Sequence, residues 1–234
     1  IGGAVITTPA IRLLLDRPEL IAVGTPLPVI IPTAVAGAIA YGRRGHVDSR
    51  MGVLVGAVGA VFSVAGAWAT RLTGGRVVLI VTASLICWMA VDMMLLALRP
   101  PRRQPGRSAR RGSLVIRAGA LGVVTGLYSG FLGLGGGFVV VPALVRYFGF
   151  DVKRAIGTSL LVVSMLAVPG SVTHYLLGNV DVGLALILTL GVVPGALVGA
   201  RVTARSNETA VRVSFALLLL LVGAALAVSE LGVI

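Results

Sequence analysis

Gly130-Phe-Leu-Gly-Leu-Gly-Gly-Gly-Phe-Val-Val-Val-Pro142 lies inside a run of 28 residues, Ala118 to Val145, that holds no Asp, Glu, Lys or Arg. As a straight helix that run would measure ~42 Å, against ~30 Å for the hydrocarbon core of a bilayer. Three successive glycines, Gly135 to Gly137, favour a break within it. An unwound stretch at membrane depth is tolerated only where it faces protein or a water-filled cavity. A half-helix starting near Phe138 would present free N–H groups and its positive dipole end to that space. Such an end binds an anion without a charged side chain.

Outward from this segment the same texture continues. Leu20 to Gly42, Met51 to Thr70, Ala155 to Val180 and Val182 to Ala200 carry no Asp, Glu, Lys or Arg, and Val77 to Leu98 is broken only by Asp92. Ser214 to Ser229 is one further, slightly short run. The chain is 57% hydrophobic and 12% charged, with a mean hydropathy of +1.02. That is too little charge to cover a soluble domain. The runs are expected to be helices, because backbone polar groups cannot stay unpaired in lipid. The expected fold is an all-α polytopic membrane protein.

The segment also has a copy. At an offset of 133 residues, Gly2-Gly-Ala-Val-Ile-Thr-Thr-Pro-Ala10 falls on Gly135-Gly-Gly-Phe-Val-Val-Val-Pro-Ala143. Without a gap, Ala22-Val-Gly-Thr25 falls on Ala155-Ile-Gly-Thr158, and Gly45-His-Val-Asp48 on Gly178-Asn-Val-Asp181. The reading is two tandem repeats: 1–98, an Arg-rich linker at 99–113, and 114–234. The second repeat opens with a span at 114–132 that has no counterpart in the first. The chain starts at Ile1 without an initiator Met, so one further N-terminal span is expected, giving about four spans per repeat. An even number makes the repeats parallel, with an axis near the membrane normal. The net charge of +12 is concentrated between spans. It reads as an orientation signal, with the linker cytoplasmic, rather than as a nucleic-acid surface. Loop 43–50 then falls inside, in agreement, and the loop near Arg201 and Arg205 outside, against the rule.

Substrate-binding candidates follow from the repeated motifs: Gly135, Gly136 and Gly137 with Gly2 and Gly3, and beside them Gly24, Thr25, Gly157, Thr158 and Ser159. For the threonines, helix capping competes with binding. Pro26 replaces the serine in the first copy, so that span is expected to be kinked. Gly122, Gly126 and Gly130, like Gly191, Gly195 and Gly199, recur every four residues and read as packing. Asp48 and Asp181 read as N-caps. Asp92, inside a span, and His174, near the end of one, are the candidates for proton coupling. The chain has one cysteine, Cys87, and two histidines, with no metal-ligand cluster and no catalytic constellation. No enzyme, metal or cofactor is expected.

These motifs in this order, Gly-Leu-Gly-Gly-Gly-Phe-Val-Val-Val-Pro-Ala-Leu, Ala-Ile-Gly-Thr-Ser, Gly-Asn-Val-Asp and Gly-Ala-Leu-Val-Gly-Ala-Arg, resemble the sulfite exporter TauE/SafE family of sulfur-compound permeases. The first half departs at Ala4 and Pro26. The resemblance implies proton-coupled transport of sulfite, organosulfonates or related anions across a bacterial-type plasma membrane. The implied partners are the sulfur anion, protons and membrane lipid. A homo-oligomer is left open, as are a passive anion channel and a non-transporting scaffold.

Overall fold

The computed structural model describes residues 3–98, 111–205 and 208–231. Every regular element among the described residues is a helix: α1 (Gly3–Leu14), α2 (Glu19–Gly24), α3 (Pro26–Gly42), α4 (Ser49–Thr73), α5 (Gly75–Leu98), α6 (Arg111–Leu132), α7 (Gly137–Phe148), α8 (Val152–Leu176), α9 (Val182–Arg205) and α10 (Glu208–Leu231). Glu19–Gly42, Ser49–Thr73, Leu114–Leu132 and Val152–Leu176 are each long and apolar enough to cross a membrane.

Local chemistry sets the helix ends. The Asp48 carboxylate accepts the Met51 N–H at 2.9 Å, and Asp181 accepts that of Leu184 at 2.9 Å, as N-caps do. Asp151 caps α8 on the Arg154 N–H at 3.0 Å, which leaves Thr158 inside the helix rather than at its start. At the expected kink, α2 stops at Gly24 and Pro26 opens α3, where its missing N–H costs nothing, while Thr25 between them keeps right-handed helical angles (φ −62°, ψ −34°), so the break is one of hydrogen bonding.

Small residues bring backbones together. A methyl group built on Gly126 would collide with the Gly59 carbonyl, and one on Gly130 with the Ser63 carbonyl. Gly52 faces Leu161 and Gly56 faces Met165. Residue numbers rise together in these pairs, so α4, α6 and α8 run parallel to one another. Between α3 and α8 they run oppositely: a Cβ built on Gly37 would stand 2.9 Å from Leu160 Cδ1, and one on Gly170 3.6 Å from Leu27 Cδ1.

That direction corrects the parallel relation expected of the two halves. Leu27 and Leu160 occupy matching places in the two halves, as do Gly37 and Gly170, yet the helices carrying them are antiparallel. The axis relating them therefore lies across the helices, in the membrane plane. The difference arises at the glycine break. A methyl built on Gly136 would stand 3.4 Å from the Thr125 carbonyl oxygen and 3.5 Å from Ser129 Cβ, both in α6. The chain after the break thus turns back alongside α6, and one expected span becomes two oppositely directed elements.

Loop 43–48 and the starts of α6 and α8 share one end of the bundle, where Arg154 pairs with Asp48 at 2.6 Å. Loop 177–181 lies at the other end, where Arg17 pairs with Asp181 at 3.5 Å. Because α9 leaves that second end, its C-terminus at Arg205 returns to the first. The conflict expected from Arg201 and Arg205 disappears.

Two cores form. One joins Met51 and Val55 of α4 to Ala118, Val140, Leu144, Ala155, Val162 and Leu166 of α6, α7 and α8. The other joins Ala4 and Val5 of α1 and Val23 of α2 to Leu79, Ile86, Leu219 and Leu226 of α5 and α10. Leu132 and Leu134, at the glycine turn, belong to this second core.

Candidate functional site

The turn between α6 and α7 is built from glycines that no other residue could replace at equal cost. Gly133, Gly135 and Gly136 have φ of 68°, 72° and 65°, the left-handed region that a Cβ disfavours. Space demands glycine as well. A Cβ on Gly133 would overlap the Val23 carbonyl, and one on Gly135 would press on Ile30 Cδ1 at 3.0 Å. The turn therefore sits against the α2–α3 junction and against Val163 in the middle of α8. Gly133 through Gly137 are all buried.

Helix α7 starts at Gly137 with Gly136 as its N-cap, and Gly136 has no side chain to offer. The N–H groups of Val139 and Val140 both turn to the Gly136 carbonyl, at 3.1 and 3.2 Å. Those of Gly137 and Phe138 precede them and have no acceptor among the described residues. Two donors and the positive end of a 12-residue helix thus meet inside the bundle. The expected half-helix start near Phe138 is observed one residue earlier.

Among the described residues, no cation is buried beside this end. Among the described residues whose exposure is defined, Lys153 and every arginine but Arg12 are exposed. Arg12 pairs with Glu19 at 3.4 Å. Polar groups near the turn are neutral. Thr125 donates its hydroxyl to the Leu121 carbonyl at 2.6 Å. The buried hydroxyls of Tyr128 and Ser129 have no partner among the described residues. The Tyr128 ring meets that of Phe138 edge-on, with centroids 5.3 Å apart. Neither Tyr128 nor Ser129 was singled out from the sequence. Their position one turn before the glycine run was the available signal.

His174 is fully buried and spans from α8 to the end of α6. Its Nε2 lies 2.7 Å from the Gly130 carbonyl oxygen, and its Nδ1 lies 3.3 Å from the Asn179 side-chain nitrogen. A neutral ring satisfies both contacts: Nε2–H donates to the carbonyl, and Nδ1 accepts from the Asn179 amide. Gly130 is in the last turn of α6, where carbonyls lack helical partners. The imidazole thus caps the helix that ends at the glycine turn.

The two Gly–Thr pairs are kept apart from each other, at opposite ends of the α3–α8 pair, and perform matching tasks. Gly24 lies on the Asn179 carbonyl and Gly157 on that of His46. The Thr25 hydroxyl accepts the Asp181 N–H at 3.2 Å, and that of Thr158 accepts the Asp48 N–H at 3.0 Å. Each pair therefore braces a loop of the other half, and the contacts are reciprocal. Gly24 adjoins the glycine turn through Val23. Ser159 donates to the Ile156 carbonyl at 2.8 Å. Gly3, at the start of α1, is exposed, with open space where a Cβ would stand. Gly2 and the side chain of Asp92 lie outside the described residues.

A cleft of about 390 Å³ opens between α3, α8 and α9, bounded by Pro28, Pro32, Ser171, Tyr175 and Thr189. Its walls are largely apolar.

Residues 1–226 match the family profile described as "Sulfite exporter TauE/SafE". A "Probable membrane transporter protein YdhB" of Bacillus subtilis is 30% identical over 203 residues, covering 86% of this chain and 82% of that protein. A second from the same organism, "Probable membrane transporter protein YunE", is 27% identical over 95% of this chain and 89% of its own length. A "Probable membrane transporter protein" of Xylella fastidiosa is 27% identical over 89% of this chain and 79% of its own. No solved structure matches the chain.

Proposed function

The chain belongs to the TauE/SafE sulfite exporter family of multi-pass plasma-membrane transporters, and from that premise we propose that it carries a small sulfur-containing oxyanion, driven by protons. The observation that supports this is the buried start of α7, where unpaired N–H groups meet neutral hydroxyls and no cation. Such a site attracts an anion while remaining neutral, and therefore stable, when empty.

In this reading the anion sits at Gly135 to Gly137, between the two packing cores. Gly24, Thr25, Gly157, Thr158 and Ser159 support the site by bracing the helices around it. The two halves descend from one unit and are inverted. Inverted repeats in transporters commonly place the substrate at a broken helix near the midplane. The moving boundary follows the cores rather than the sequence halves, because α4 shares its core with α6, α7 and α8. Proton coupling runs through His174. A proton on Nδ1 displaces the Asn179 amide donor, and that loosens the loop that Gly24 and Thr25 hold. Asp92 is the second candidate. The end of the bundle where α5 finishes and α6 starts is cytoplasmic.

The test is sulfite flux into proteoliposomes with and without an imposed pH gradient, for the natural chain and for Gly136→Leu. Accumulation driven by the gradient supports a coupled carrier. Leucine at a φ of 65°, against the Thr125 carbonyl, abolishes flux while leaving membrane insertion intact. Unchanged flux in Gly136→Leu would sink the site. Flux indifferent to the gradient would make the protein a channel.

A further inference from the structure

Four buried side-chain hydroxyls lack a hydrogen-bond partner among the described residues: those of Thr8, Tyr128, Ser129 and Ser171. An unpaired buried hydroxyl typically costs ~1–3 kcal/mol, so each invites an explanation. Ser171 lines the apolar cleft and Thr8 lies in α1. Tyr128 and Ser129 flank the start of α7.

Their setting is specific. Ser129 has no solvent exposure. Its Cβ is 3.5 Å from the place a Cβ would take on Gly136, the N-cap of α7. The Ser129 carbonyl is already used, accepting the Gly133 N–H at 2.9 Å. Tyr128 lies along the first turn of α7, edge-on to Phe138. Thr125, one turn earlier in α6, spends its hydroxyl on its own helix. Two side chains whose buried hydroxyls have protons to donate and no partner among the described residues therefore stand against the first turn of α7, the helix end that leaves the Gly137 and Phe138 N–H groups unpaired.

Resting on the anion-site reading above, we propose that Ser129 and Tyr128 are substrate-binding residues, donating their hydroxyl protons to the oxyanion held by the α7 N-terminus. Four donors then surround one anion, two from the backbone and two from side chains, all neutral. Oxygens that can only accept suit this set. A proton on a substrate oxygen would find an acceptor only in one of the two hydroxyls, and none in the two N–H groups. The set thus favours deprotonated oxygens, and the two side chains tune affinity.

The experiment uses the full chain in proteoliposomes, with sulfite as the probe. Ser129→Ala and Tyr128→Phe each remove one hydroxyl and little volume. Losing one hydrogen bond to a charged acceptor should raise KM for sulfite by about 10-fold or more, with the maximal rate retained. In the absence of sulfite each variant should melt at or above the temperature of the natural chain, because the deleted hydroxyl had no partner. The upward shift in melting temperature that sulfite induces should shrink in both. Unchanged KM in both variants, with Gly136→Leu inactive, would overturn the role of the hydroxyls and leave the anion site standing. A lowered melting temperature without a change in KM would give them a structural role and overturn the proposal equally. Absence of sulfite flux in the natural chain, or normal flux in Gly136→Leu, would instead remove the functional reading on which it rests.

Discussion

His174 shows how much one side chain can hold. A buried imidazole with both nitrogens paired joins the last turn of α6 to the loop after α8. Its counterpart in the first half is Tyr41, and no repeat pattern marks it. His174→Phe leaves the Gly130 carbonyl and the Asn179 amide unpaired, and should cost ~1–3 kcal/mol, read as a lower melting temperature in detergent. His174→Gln keeps a donor for the carbonyl and should recover most of that stability. If His174 also carries the coupling proton, the glutamine variant exchanges sulfite across the membrane but no longer accumulates it under a pH gradient. Gradient-driven accumulation at the natural level in that variant would leave Asp92 as the coupling candidate.

Among elements, α4 is the informative case. By sequence it belongs to the first half, and its uncharged run was legible as a span. Its glycines, however, are shaped for the second half: Gly52 and Gly56 for α8, Gly59 for α6. In lipid, helices associate through close packing rather than through exclusion of water, so glycine faces decide which helices touch. Gly126→Leu would drive a side chain into the Gly59 backbone, and overpacking of this kind typically costs ~1–3 kcal/mol or more. The expected result is a lowered melting temperature and poor yield of folded protein. Leucine at Gly119, where a Cβ would meet nothing within 4 Å, should be tolerated. Equal loss at both positions would remove the claim that the α4–α6 contact is specific. Helix ends were also partly legible: Asp48 and Asp181 cap as their Gly-x-Val-Asp context suggested. The threonines divide differently, since a hydroxyl beside a helix start can cap it, bind a ligand or reach another chain segment, and only neighbours in space decide which.

For the whole molecule, the antiparallel course of α3 and α8 has a direct consequence. Arg44 and Leu177 are matching positions at the 133-residue offset. Parallel halves would expose both on one side of the membrane; inverted halves expose them on opposite sides. In a Cys87→Ala background, Arg44→Cys and Leu177→Cys should react with a membrane-impermeant thiol reagent from opposite faces of oriented vesicles. Labelling of both from one face would overturn the inversion. Arg44 is expected on the cytoplasmic face, because arginines left inside satisfy the rule that orients spans during insertion.

The sequence by itself determined the class of the molecule and the place of its break. Long uncharged runs in a chain with 12% charged residues have one physical outlet, helices in lipid, and a triple glycine followed by Pro142 cannot continue such a helix undisturbed. Hydropathy and backbone freedom are local properties, so both survive without coordinates. Tertiary structure alone decided the direction taken after the break. A glycine turn can bend a span or reverse it, and the difference lies in whether Gly136 returns to Thr125 and Ser129. That reversal set the parity of the halves, brought two unpaired hydroxyls to the start of α7, and made α4 the partner of helices in the other half. Each is a relation between distant residues, fixed by which surfaces fit, and no window along the chain contains it.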